Sequence, residues 1–276
     1  GNMPELPEVE TIRKTLKAIV AGKTIASVDV RWPKMIKKPD DVERFKEGLC
    51  GQTIRDIRRR GKFLLFDLDD VTLVSHLRME GKYGLFKKEE AIDKHTHVIF
   101  SFDDETELRY NDVRKFGTMH LFRKGEEEHS LPLSQLGIEP FSPSFTPDFL
   151  KRAFQKTSRV IKVVLLDQTI VVGLGNIYVD ESLFRAGIHP ERVAATLTDE
   201  EISRLHEAIL ITLQEALDLG GSTIKSYVNG QGEIGMFQQR LSVYGRKEEA
   251  CFSCGTPITR VVVGGRGTHF CSHCQK

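Results

Sequence analysis

Hydrophobic positions change period along the chain, and each change predicts a different element. Val9, Ile12, Leu16 and Val20 recur three and four residues apart, behind a segment holding Pro4, Pro7 and the carboxylates Glu5, Glu8 and Glu10. Proline is tolerated in a first helical turn and carboxylates there suit the helix dipole, so a helix is predicted to start near residue 4. Glu5 and Glu8 then share one face. From Thr24 the period falls to two: Val28, Val30 and Trp32 alternate with Ser27, Asp29 and Arg31. Further β-rich runs follow at Phe63–Leu68, Thr72–Met79, His97–Phe102, Glu107–Tyr110 and Thr118–Phe122. That spacing predicts an antiparallel sandwich or barrel.

Pro132, Pro140, Pro143 and Pro147, interleaved with serines, predict a linker over residues 132–147. Helical patterning follows, with Phe149, Leu150, Ala153 and Phe154 as one set and Val160–Leu166 as another. Thr198-Asp199-Glu200-Glu201 reads as a capping box. It opens a long helix striped by Ile202, Leu205, Ile209, Leu213 and Ala216, with Gly220-Gly221 as the expected end. Short strands return near Leu241. The whole reads as a multidomain α+β chain.

Composition narrows the function classes. With 39% hydrophobic and 29% charged residues, a disordered tail protein is excluded. No stretch is apolar enough for a membrane span, and no basic segment leads into an apolar one at the start, so a cytoplasmic location is expected. The net charge of +1 conceals segregation: Arg55–Lys62 holds five basic residues against Asp56, and residues 222–276 hold seven basic and three acidic ones. Acids gather at Asp40-Asp41, Asp103-Asp104-Glu105, Glu126-Glu127-Glu128 and Asp199-Glu200-Glu201. Such a chain can bind a polyanion without a high isoelectric point, although any single run is more simply a solvated patch.

Four of the five cysteines form Cys251-x2-Cys254-x16-Cys271-x2-Cys274, the spacing of a closed four-thiolate zinc site on two knuckles. Disulfides or free thiols are the alternatives; a zinc there is structural and would hold Arg266 at the tip of the intervening hairpin. Cys50 is expected to be a buried small hydrophobe. Gly173-Leu174-Gly175-Asn176-Ile177-Tyr178 is a glycine-rich turn entering a helix, a weak phosphate-binding signal that equally describes a tight turn. At the N-terminus, an α-amino group titrates near ~7.7–8.0 against ~10.4 for lysine, so it is the better nucleophile at neutral pH. A proline there is a secondary amine, whose adduct with an aldehyde carbon must be a charged iminium.

Together these segments resemble the formamidopyrimidine-DNA glycosylase family over essentially the whole chain. The segments that carry the resemblance are Pro4-Glu5-Leu6-Pro7-Glu8-Val9-Glu10, Arg60-Gly61-Lys62-Phe63, Asp112-Val113-Arg114-Lys115-Phe116-Gly117, Gly173 to Tyr178, and Cys251 to Cys274. It implies an N-terminal antiparallel β-sandwich with flanking helices (1–131), the linker (132–147), a helix-two-turn-helix domain with a lesion-recognition loop (148–240) and a zinc finger (241–276). It implies base-excision repair of oxidised purines in double-stranded DNA, with strand cleavage at abasic sites, by a monomer carrying one structural Zn2+ and associated with the nucleoid. Pro4 would be the nucleophile, Glu5 the general acid and base, Glu8 a supporting acid, and Lys62 a phosphate-binding lysine with proton-donor work. Arg266 and Asn176 would grip phosphate beside the lesion. Met79, Arg114 and Phe116 would fill the gap left by the everted base, with His76, Arg78 and His95 as further DNA contacts. Ser222, Thr223 and Tyr227 would belong to the recognition loop. The Leu6 of the opening motif favours the purine branch over the pyrimidine-directed endonuclease-eight branch; a non-catalytic damage binder is the alternative from another class. Pro4 follows Met3, and Gly1-Asn2 reads as a tag remnant, so its nitrogen is an amide until that extension is removed.

Overall fold

The apolar stripe at the start of the chain becomes helix α1, Leu6–Val20, in the computed structural model, which describes residues 3–228, 232–233 and 240–276. Val9, Ile12, Leu16 and Val20 are all buried, as their spacing requires. The chain divides into two compact units, Gly1–Ser134 with Leu219–Phe237, and Gln135–Asp218 with Gln238–Lys276.

The first unit is built on two five-stranded sheets. One has the order β1 (Ile25–Val30), β7 (Thr96–Phe102), β8 (Thr106–Asn111), β6 (Lys82–Lys87) and β10 (Gly232–Glu233). The other has the order β2 (Ile36–Lys38), β9 (Thr118–Arg123), β5 (Val71–His76), β4 (Phe63–Asp67) and β3 (Asp56–Arg60). Val28, Val98, Phe100 and Leu108 of the first sheet share one core with Ile57, Leu64, Phe66, Leu73 and Met119 of the second and with α1. This is the predicted sandwich. One pair, β2 with β9, is parallel; the other strand pairs of the two sheets are antiparallel.

Several details differ from expectation. β2, β3, β6 and helix α2 (Val42–Leu49) lie where no apolar alternation marks them. β5 stops at His76, so Arg78 and Met79 sit in the turn that follows rather than on the strand, and Arg78 takes φ 53. Cys50 is exposed: it caps α2, one position past the buried Phe45 and Leu49 face.

The second unit contains α3 (Pro147–Gln155), α4 (Ile161–Leu166), α5 (Asn176–Ala186), most of α6 (Asp199–Val228) and the hairpin β11 (Thr259–Val263) and β12 (Arg266–Phe270). The capping box is present: Thr198 Oγ1 accepts from Glu201 N at 3.2 Å and a Glu201 carboxylate oxygen accepts from Thr198 N at 2.9 Å. The helix does not end at Gly220-Gly221; it runs to Val228. A glycine inside a helix costs only about 1 kcal/mol relative to alanine, and no proline follows to stop it.

Candidate active site and nucleic-acid interface

In the first unit, the start of α1 holds two buried carboxylates. Glu5 is 2% exposed and Glu8 6%, and Pro4 is buried beside them. Glu8 Oε1 accepts the Glu5 N–H at 3.0 Å, satisfying a donor that a helix N-terminus would leave unpaired. Lys62 follows Gly61, whose φ of 58 makes the tight β3–β4 turn. Its ammonium lies 3.7 Å from Met3 Sδ, against the residue that precedes Pro4. A second network ties that turn to α1: Glu10 accepts from Arg13 and, at 3.2 Å, from Arg59, whose guanidinium also donates to the Gly61 carbonyl at 3.1 Å. The basic run 55–62 is therefore far from a bare cationic face. Arg55 pairs with Asp69, and Arg58 with Asp67, Glu127 and Glu128.

His76 closes β5 with its ring edge-on to Phe63 at 4.6 Å, and it is only 7% exposed. Its Nδ1 accepts the Arg78 N–H at 3.0 Å, which places the ring proton on Nε2. Burial, with Arg78 and Lys62 nearby, pushes its pKa down to about 3, so the ring is neutral. Arg78 is exposed and Met79 half-buried. Arg114 Nη1 lies 3.7 Å from Met79 Sδ, so two of the three expected gap-filling residues touch. Phe116, the third, is 56% exposed on the same loop as Arg114, far from the core position usual for phenylalanine. His95 is half-buried in the turn before β7, its N–H bonded to Asp93.

In the second unit, α5 and the hairpin meet. Gln168 fixes the glycine-rich turn by accepting from Gly173 N at 2.9 Å and donating to the Leu166 and Leu174 carbonyls. Asn176, the first residue of α5, donates through Nδ2 to the Gly267 carbonyl at 2.9 Å, beside Arg266. Arg266 itself is exposed, just past the Gly264-Gly265 turn where both φ values are positive. The fully buried Lys162 donates to Asp180 Oδ1 at 2.8 Å, Thr268 Oγ1 at 2.6 Å and the same Gly267 carbonyl at 3.3 Å. Asp180 Oδ2 accepts His269 N at 2.9 Å. Sequence reading did not single out this pair. Its one signal is a lysine inside the apolar run Ile161-Lys162-Val163-Val164. Glu181 is a second omission, accepting three successive backbone N–H groups from Ser242, Val243 and Tyr244.

The four knuckle sulfurs lie within 4.8 Å of one another, with Cys254–Cys271 at 3.5 Å and Cys251–Cys274 at 3.9 Å. A tetrahedral thiolate centre with Zn–S of about 2.3 Å needs sulfur–sulfur edges of about 3.8 Å. The donor set therefore fits one zinc with no open position. Ser222, Thr223 and Tyr227 fall on the last turns of α6 rather than in a loop; their side chains, and most of the segment to Phe237, lie outside the described residues. Among the described residues, no helix is long and apolar enough to cross a membrane.

Comparison with known proteins accounts for nearly the whole chain. Residues 3–119 match the formamidopyrimidine-DNA glycosylase N-terminal domain, 136–228 the H2TH domain of the same enzymes, and 248–276 the zinc finger found in FPG and IleRS. A formamidopyrimidine-DNA glycosylase of Halalkalibacterium halodurans is 69% identical over 274 residues, 99% of this chain and 100% of that one. One from Bacillus subtilis is 63% identical over 273 residues, 99% of each. The Lactococcus lactis Fpg in complex with abasic-site DNA superposes with a TM-score of 0.90 at 42% identity, covering 99% of both chains. A mutant of that enzyme bound to Fapy-dG DNA gives 0.91, covering 99% of this chain and 100% of that one. By its length-wide motifs, its three family domains and its fold, the chain belongs to the formamidopyrimidine-DNA glycosylase family.

Proposed function

We propose that the chain removes oxidised purines, 8-oxoguanine and ring-opened formamidopyrimidines, from duplex DNA and then cuts the strand at the resulting site. The observation that carries this reading is the start of α1, where two buried carboxylates stand next to Pro4 and the Lys62 ammonium packs on Met3. Once Met3 is removed, the Pro4 nitrogen is a secondary amine. It attacks C1′ of the damaged nucleotide and loses its proton, the base leaves with the electrons of its glycosidic bond and takes up a proton, and the C1′–O4′ bond then opens with protonation of O4′, leaving the sugar as a charged iminium on Pro4. That electron sink acidifies C2′, and β- then δ-elimination expels the phosphates on either side. Glu5 supplies and removes protons, and Glu8 fixes the Glu5 backbone at the helix start. Lys62 binds phosphate and donates a proton during elimination.

Arg266 and Asn176 grip the phosphate beside the lesion, while His76, Arg78 and His95 contact the backbone, His76 as a neutral Nε2–H donor. Met79, Arg114 and Phe116 enter the gap left by eversion, where an apolar wedge offsets part of an unstacking cost of a few kcal/mol. Ser222, Thr223 and Tyr227 belong to the segment that recognises the damaged base. Residues 1–131 form the catalytic domain, 132–147 a linker, 148–240 the helix-two-turn-helix domain and 241–276 the zinc finger. The chain acts as a cytoplasmic, nucleoid-associated monomer.

The test is relative specificity. A zinc-loaded chain beginning at Pro4 should cut 8-oxoguanine opposite cytosine with a kcat/KM well above that for thymine glycol, and faster than 8-oxoguanine opposite adenine. A higher kcat/KM for thymine glycol would move the assignment to oxidised pyrimidines.

A further inference from the structure

The loop 112–117 spends stability in two ways at once. Val113 and Phe116 are 55% and 56% exposed at its tip, while the Asp112 carboxylate at its base is completely buried. A loop selected for stability alone would bury the phenylalanine and would not desolvate a carboxylate. Each oxygen of Asp112 is committed to this region: Oδ1 accepts Lys115 N at 3.0 Å, and Oδ2 accepts Gly117 N at 2.8 Å and the Tyr110 hydroxyl at 2.9 Å. Its carbonyl oxygen is bound by His97 Nε2 at 2.7 Å. Lys115 is thereby held at φ 61, with its ammonium 4.0 Å over the ring of Trp32.

The Tyr110 hydroxyl reaches further. A Cβ built on Gly117 would overlap that oxygen, and so would one built on Gly81, which would also meet the Leu77 carbonyl at 2.6 Å. Gly81 closes the turn that carries Met79. One phenolic oxygen, itself fully buried, is therefore packed between the backbones of the two loops whose tips meet at Met79 and Arg114. The ring behind it is braced edge-on by Tyr83 at 5.1 Å, and the Tyr83 hydroxyl is bonded to Ser75 Oγ at 2.7 Å.

We propose that Tyr110 and Asp112 are positioning residues for opposite-base selection: they set the spacing of the loops 77–81 and 112–117 so that Arg114 reads the base left behind by eversion. This rests on the reading of Met79, Arg114 and Phe116 as the residues that fill the gap. Neither Tyr110 nor Asp112 touches DNA in this account; both act through Arg114.

The experiment measures kcat/KM for 8-oxoguanine opposite cytosine and opposite adenine in the zinc-loaded, Pro4-initiated full chain, and compares wild type with Tyr110→Phe, Asp112→Asn and Arg114→Ala. The ratio is taken within one preparation, so an inactive fraction cancels. Losing a hydrogen bond to a buried charge should lower the cytosine-over-adenine ratio in Tyr110→Phe by roughly fivefold or more. Emission from Trp32, the single tryptophan, should shift in the same direction as in a Lys115→Met control. If Arg114→Ala loses the preference while both Tyr110→Phe and Asp112→Asn keep it within twofold, the inference fails and the reading of Arg114 stands. If Arg114→Ala keeps the preference, the reading of Arg114 fails, and the inference with it.

Discussion

The hairpin that presents Arg266 and the loop that presents Arg114 each hold out an exposed arginine from a buried polar base, but the bases are assembled differently. The hairpin is fixed by the four cysteines at its flanks and by residues distant in sequence, Lys162 and Asn176 on the Gly267 carbonyl and Asp180 on the His269 N–H. The Asp112 carboxylate at the base of the loop is held by Tyr110, Lys115 and Gly117, all within a few residues of it. A long-range anchor that includes a metal depends on the whole unit being folded and loaded. A local carboxylate anchor does not, and the two regions should fail under different treatments.

Metal removal should give the largest separation. Chelating the zinc, or replacing Cys271 by Ser, should weaken lesion-DNA binding by about 100-fold through loss of the Arg266 hairpin. Trp32 emission, which reports the loop side in the first unit, should hardly change. Unaltered DNA affinity after verified zinc loss would break the comparison.

Next is the buried ion pair. Lys162→Met leaves the Asp180 carboxylate buried without its cation, and this should destabilise the second unit by about 3–5 kcal/mol in denaturant unfolding. Adding Asp180→Leu should recover much of that loss, because the cost is an uncompensated charge. A single-variant loss below about 1 kcal/mol would show that the pair is not the hairpin's anchor.

A smaller effect belongs to the first unit. His76 has its folded pKa depressed to about 3 by burial, against an ordinary value near 6.5. Between these values the unfolded chain binds the extra proton and the folded chain does not, so stability falls as pH drops below about 6.5. At pH 5 the difference amounts to about 2 kcal/mol for this one group. The difference in unfolding free energy between wild type and His76→Gln should therefore change between pH 7 and pH 5; a pH-independent difference would mean that the ring titrates alike in the folded and unfolded chains.

Much of this was legible in sequence because it is local. The α1 stripe, the Thr198 capping box and the cysteine spacing each declare themselves within a few residues, and each is present. Gly220-Gly221 misled because glycine weakens a helix without forbidding it. The end of β5 was hidden because the apolar run continues through Leu77 and Met79 after the pairing stops at His76. Asp112 lay inside a recognised motif, yet its role depends on where Tyr110 and Gly81 pack. The partner of Lys162, eighteen residues on, cannot be chosen from sequence without knowing that α4 and α5 meet.

The central claim is that Pro4 is the nucleophile, and borohydride trapping tests it most directly. A chain beginning at Pro4, incubated with 8-oxoguanine duplex and reductant, should give a covalent protein–DNA complex whose adduct maps by peptide mass to Pro4, while the chain that retains Met3 should give none. An adduct on Lys62, no adduct from the Pro4-initiated chain, or efficient trapping by a Met3-bearing chain of verified mass would contradict it.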